Sequence, residues 1–126
     1  MMNREEVFAY VKKKYGTEPD YPWMDQNAVL RHADNKKWYA LVLSVCADKL
    51  GLKKDKTVDV INVKCDPVLI GSLRTKNGFF PAYHMNKNSW ISILLDPAVS
   101  DGEVKGLIDL SYELTQSKRH KKKKQE

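Results

Sequence analysis

The stretch Trp38-Tyr39-Ala40-Leu41-Val42-Leu43-Ser44-Val45 constrains this chain more than any other. It is a strand pattern with apolar residues on both alternating faces: Leu41, Leu43 and Val45 on one, Trp38, Ala40 and Val42 on the other. A strand apolar on both sides belongs inside a sheet rather than at its margin. A second strand, Thr57 to Cys65, puts Ile61, Val63 and Cys65 on one face and Asn62 and Lys64 on the opposite one. Ala28 to Ala33 reads as a strand leading into a turn at Asp34-Asn35-Lys36. Phe79 to Met85 and Ser89 to Leu95 read as a strand pair joined by Asn86-Lys87-Asn88.

Helices punctuate these strands. Asn3 caps a helix to Tyr15, with Glu6 reaching back, a face of Val7, Phe8, Val11 and Tyr15, lysines in the last turn and Gly16 as the stop. Asp66-Pro67 opens a second helix with the stripe Leu69, Ile70 and Leu73, ended by Asn77-Gly78. Ser100-Asp101-Gly102-Glu103 opens a third, with Val104, Leu107, Ile108, Leu110 and Leu114 as its apolar side. The order is helix, three strands, helix, two strands, helix. It predicts an α+β domain, an antiparallel sheet of about five strands with helices packed on one face.

The net charge of +6 comes almost wholly from one end. Lys118, Arg119, Lys121, Lys122, Lys123 and Lys124 stand against the single acid Glu126, leaving sixteen basic and fifteen acidic residues in the remainder. The expected organisation is a domain over residues 1–115 followed by a basic tail over 116–126. Such a tail attracts any polyanion without reading sequence, or serves as a solubilising end. It lacks large apolar residues for membrane insertion. No apolar run approaches the ~20 residues that span a bilayer. The charged start, Met1-Met2-Asn3-Arg4-Glu5-Glu6, has no secretory core, so a cytoplasmic location is expected. Cys46 and Cys65 lack metal-ligand spacing and read as reduced thiols.

Pro81-Ala82-Tyr83-His84-Met85-Asn86-Lys87 followed by Trp90, with Val63-Lys64-Cys65-Asp66-Pro67 and Tyr21-Pro22-Trp23, resembles the MmcQ/YjbR family. Lys36-Lys37-Trp38-Tyr39-Ala40-Leu41 and Ser111-Tyr112-Glu113-Leu114 match in position and type, so the resemblance runs to about Thr115. It implies a frataxin-like (CyaY-like) fold and DNA binding by analogy with a double-wing architecture. The chain departs from the family pattern at Ser89, where many members carry His, and at Met24, where many carry Gly.

Candidate contact residues follow from chemistry. In the Tyr83 to Trp90 stretch, Lys87 suits a phosphate, His84 and Asn86 are hydrogen-bond donors, and Tyr83 or Trp90 is a stacking surface. The competing reading is a histidine pinning a strand end, with Asn86 closing an Asx-turn. Lys64, with Asn62, Trp90 and Ser92, falls on the face left open by the helices, as a platform or as a lysine lying across a tryptophan. Arg31, Lys36 and Lys37 flank a hairpin that is either a phosphate-touching wing or a solvated turn.

No nucleophile elbow, phosphate loop, dinucleotide fingerprint or zinc-protease motif occurs, and the first helix lacks an acidic metal-binding face. The expectation is a non-enzymatic module without cofactor or metal, with DNA as partner. The alternative is a protein or small ligand held on the open sheet face around Trp38, Lys64 and Trp90. An enzyme would need a deep pocket joining His84 to an ionisable partner. Oligomeric state is not encoded in any feature of the sequence.

Overall fold

The computed structural model describes residues 2–52 and 55–117. The basic tail proposed from sequence, apart from Gln116 and Ser117, lies outside the described residues. The elements are α1 (Arg4–Tyr15), β1 (Ala28–Arg31), β2 (Trp38–Cys46), a single 3-10 turn (Ala47–Leu50), β3 (Thr57–Lys64), α2 (Pro67–Leu73), β4 (Phe79–Pro81), β5 (Trp90–Leu94) and α3 (Asp101–Thr115). The strands form one antiparallel sheet in the order β1-β2-β3-β5-β4. The expected α+β architecture is therefore present.

Local signals set the helix ends. The Asn3 side chain accepts from the Glu6 amide and Glu6 returns the bond, a complete capping box, and Gly16 closes the helix at φ 70°. Asp66 accepts from the Val68 amide ahead of Pro67. At α3 Ser100 accepts from the Glu103 amide, while the Glu103 carboxylate pairs with Lys76. The stop at Asn77-Gly78 comes late: α2 already ends at Leu73, and Gly78 immediately precedes β4.

The three helices cover one face of the sheet. Val7 and Val11 of α1, Ile70 and Leu73 of α2, and Val104, Leu107 and Ile108 of α3 close over Val42, Ile61, Val63, Ile91 and Ile93. Leu110 and Leu114, expected on the buried side of α3, are instead exposed, and Ser111 and Thr115 take that face. The helix wheel explains this: Val104, Leu107, Ile108, Ser111 and Thr115 follow the helical repeat, and the two leucines lie outside that stripe.

The other face is not open, which corrects the expectation. Val29, Leu41, Leu43, Val45 and Val60 form a second apolar cluster, covered in part by Trp38, Leu50, Tyr83, Met85 and Trp90. Two sequence inferences fail here. Trp38 lies with Leu41 rather than with Ala40, because Leu30 pairs with Ala40 while Arg31 pairs with Trp38, leaving Tyr39 as the extra residue of a bulge. The strand pair at residues 79–95 is not joined directly by the turn at Asn86-Lys87-Asn88, because β4 stops at Pro81 and residues 82–89 fold back over the sheet before that turn leads into β5.

The margins of the sheet are short. β4 has three residues and ends in proline. On the outer side of β1, Val29 is bridged to Asp20 by two backbone bonds, of 3.0 and 2.8 Å.

α1 is pinned to α3 through one carboxylate. Tyr10 Oη and Tyr15 Oη donate to Asp109 at 2.9 and 2.6 Å, Lys14 Nζ donates at 2.8 Å, and the Tyr15 ring stacks on Tyr112 with centroids 3.7 Å apart. Partial burial works to raise the Asp109 pKa, but the bonds from Lys14, Tyr15 and Tyr10 outweigh it and hold the carboxyl below its usual range. A carboxyl depressed in the folded state stabilises the fold above its unfolded pKa, and that contribution disappears as pH falls through the folded value. Asp109→Asn is expected to cost about 1–2 kcal/mol at neutral pH. The gap from wild type should close toward acid in urea titrations, and a pH-independent gap would refute the account.

Candidate functional site

The second sheet face carries the site. Its floor is Leu41 and Leu43 of β2. The bulge at Tyr39 brings Trp38 up as one wall. Trp23 arrives from the turn closed by the Met24 amide on the Tyr21 carbonyl, and Met24 takes a left-handed φ of 58° there. The Trp23 and Trp38 rings meet edge to face, with centroids 6.0 Å apart, and Trp23 remains 48% exposed.

The opposite wall is the 82–89 segment, fastened by a buried polar triangle. The Tyr83 amide donates to Ser92 Oγ at 2.9 Å, Ser92 Oγ donates to Asn62 Oδ1 at 2.5 Å, and Asn62 Nδ2 donates to the Tyr83 carbonyl at 3.0 Å. Asn62 and Ser92 are fully buried, and each satisfies the other's polar atoms in a low-dielectric interior. His84 then turns the chain with a left-handed φ of 58° and rests 4.0 Å from the Tyr83 ring. Asn86 Oδ1 accepts from the Asn88 amide, and the Asn86 carbonyl accepts from Ser89 and Trp90, so the Asx-turn reading holds.

Between these walls lies a cleft of about 370 Å³ lined by Trp23, Trp38, Tyr83, His84, Met85, Leu41 and Leu43, with Asn27 and Ser44 also on its rim. Its lining contains no Asp, Glu, Lys or Arg. An adjoining cleft of about 400 Å³ shares Tyr83 and His84 with it and adds Lys49, Lys87, Leu50, Phe80 and Pro81. The two together form an aromatic recess with a cationic neighbour.

The other cations named from sequence lie elsewhere. Arg31 and Lys36 line a third cleft, of about 510 Å³, with Tyr15, Glu18, Asp20 and Tyr112, and it shares no lining residue with the first two. Arg31 is paired there with Asp20, and Lys36 sits at φ 63°. Lys37 is exposed and its carbonyl accepts from the His32 amide. Lys64 is half-buried directly across the β3–β5 ladder from Trp90. Trp90 packs into the second apolar cluster. Of the sequence candidates, the fold thus gathers Tyr83, His84 and Lys87 and separates them from Arg31 and Lys36. The tail lysines and Arg119 fall outside the described residues.

Sequence reasoning did not single out Trp23, Met85 or Lys49 as contacts. The aromatic-proline-aromatic run Tyr21-Pro22-Trp23 was the available signal, since it brings a ring to an exposed turn. Cys65 is buried, and burial, aided by Asp66, pushes its thiol up to about 11. Among the described residues, no group of three or more His, Cys, Asp or Glu comes together to hold a metal ion, and no helix is long and apolar enough to cross a membrane.

Comparison with known proteins now bears on this geometry. The model of the family described as YjbR matches residues 12–114. A Bacillus subtilis (strain 168) protein described as uncharacterized protein YyaQ is 46% identical over 117 residues, covering 91% of this chain and 99% of its own. A crystal structure of a Pseudomonas syringae protein superposes with a TM-score of 0.89 at 50% identity, covering 91% of this chain and all of that one. Deinococcus radiodurans protein DR2400 shares the fold at a TM-score of 0.72 and 22% identity, covering 94% of this chain and 81% of that one. The family match over most of the chain agrees with the resemblance read from its motifs: the protein belongs to the YjbR family.

Proposed function

We propose that the protein is a non-catalytic nucleic-acid-binding module of the cytoplasm that holds single-stranded DNA by stacking bases in the Trp23–Trp38–Tyr83 cleft. The observation that carries this reading is the shared wall. Tyr83 and His84 line both the aromatic recess and the cleft holding Lys49 and Lys87. Rings for bases beside lysines for phosphates are what an unpaired strand needs. Two wings clamping a duplex are less well supported, because Arg31 and Lys36 line a separate cleft and Arg31 is paired with Asp20. In this reading the tail adds affinity without sequence preference.

The test is tryptophan fluorescence of the full chain titrated with oligothymidine over a salt series. Trp23→Ala is expected to weaken binding about tenfold at each salt concentration, from a stacking contribution of roughly 1–3 kcal/mol. Lys87→Ala should lower the salt slope by about 0.7, the value for one phosphate on a single strand. Wild-type affinity in both variants would leave the tail as the whole source of binding and reject the cleft.

A second reading rests on the recess itself, whose lining holds no Asp, Glu, Lys or Arg: a small planar ligand held without phosphate contacts. It predicts binding that survives high salt and is indifferent to Lys87.

A further inference from the structure

Strict alternation along β2 would put Trp38 under the helices with Ala40 and Val42. The fold places it on the far side of the sheet, and the cause lies at the bulge. The β2–β3 ladder runs from Cys46↔Thr57 to Ala40↔Val63 and stops there. The next residues along the two strands are Tyr39 and Lys64. The Ser111 hydroxyl, from α3, enters between them: Ser111 Oγ accepts from the Lys64 amide at 2.9 Å and donates to the Tyr39 carbonyl at 2.5 Å. Ser111 is fully buried. On the other side of β2, Tyr39 is the residue left over between Leu30↔Ala40 and Arg31↔Trp38.

The displaced Tyr39 side chain is held on the helix face. Its Oη donates to Thr17 Oγ1 at 2.7 Å, and its ring meets Tyr15, His32 and Tyr112 edge-on or nearly so, at 6.0, 5.3 and 4.9 Å. Tyr39 and Ala40 therefore both face the helices, and Trp38 shares the opposite face with Leu41. A bulge of this kind re-aims the side chain beside it.

We infer that Ser111 is a positioning residue for the cleft: by holding the Tyr39 carbonyl it fixes the bulge that delivers Trp38 to the cleft wall across the sheet. Ser111 touches nothing in the cleft and acts only through the β2 backbone. The inference rests on the cleft being a binding site only for its binding arm, because the position of Trp38 can be read without any ligand.

The experiment uses the full chain and the exciton coupling of the Trp23–Trp38 pair, whose edge-on contact should give a circular-dichroism couplet that Trp23→Ala removes. Ser111→Ala is expected to lose that couplet under conditions where the protein is still folded, and Ser111→Thr, which keeps the hydroxyl, to restore it. Thr115→Val is the control. It removes another buried hydroxyl from α3, one that bonds His32 Nε2 and the Ser111 carbonyl at 2.8 Å each but does not hold the Tyr39 carbonyl, and should keep the couplet. Oligothymidine quenching should follow the couplet, falling about tenfold in affinity in Ser111→Ala through the lost stacking wall. A Ser111→Ala protein that is destabilised like Thr115→Val yet keeps the native couplet would overturn the inference. If Ser111→Ala does not fold, Ser111→Cys, with its weaker hydrogen bonding, is judged by the same couplet. Loss of the couplet with no oligonucleotide binding by any variant, wild type included, would retain the role of Ser111 and reject the proposed ligand.

Discussion

Asn62→Ala is expected to cost about 3 kcal/mol of stability and to loosen one wall of the cleft. The Asn62 amide closes the triangle with Ser92 Oγ and the Tyr83 carbonyl, all at the buried centre of the second sheet face. Removing it leaves a hydroxyl and a carbonyl short of partners, each costing roughly 1–3 kcal/mol when buried. It also frees residues 82–89 from the sheet. Urea unfolding reads the first effect, and protection of the Tyr83 amide from hydrogen exchange reads the second. Because Asn62 and Ser92 serve each other, the double variant Asn62→Ala/Ser92→Ala should cost less than the two single variants added together. Strict additivity would mean that the triangle does not act as a unit.

The second large effect is expected at Gly78. It stands just before β4 at φ 91°, and a Cβ added there would lie 2.5 Å from Cγ2 of Val99, which is buried. Gly78→Ala combines a left-handed backbone with overpacking against a branched side chain that has nowhere to move. A cost of about 3 kcal/mol follows. Gly106→Ala provides the opposite sign within the same protein. Gly106 lies inside α3 with open space around it, so an alanine should stabilise by roughly 0.5–1 kcal/mol. Equal urea midpoints for the two variants would contradict both accounts.

Local signals carried most of the architecture. The Asn3–Glu6 box, the Asp66-Pro67 start and the alternation of Ile61, Val63 and Cys65 each state a preference that neighbouring residues satisfy, so they were legible from sequence. Trp38 was not, because its face depends on a hydroxyl from α3, far along the chain. The 82–89 segment alternates like a strand, yet its course is set by Asn62 and Ser92 from two other strands. Leu110 and Leu114 look like core by type, but close approach of α3 to the sheet favours Ser111, whose small hydroxyl bonds both strands. The basic residues show the same limit. Nothing local tells Arg31 that Asp20 will face it, or Lys87 that Lys49 will share its cleft.

The short outer strands bear on how the protein behaves when it is concentrated. Unpaired strand amides invite a neighbouring molecule to add its own strand, the first step of fibrous self-association. Here β4 offers only three residues, the last a proline that has no amide to give, and at the far side Asp20 has already occupied Val29. Both flanks deny a second copy the continuous backbone template that cross-molecule growth requires.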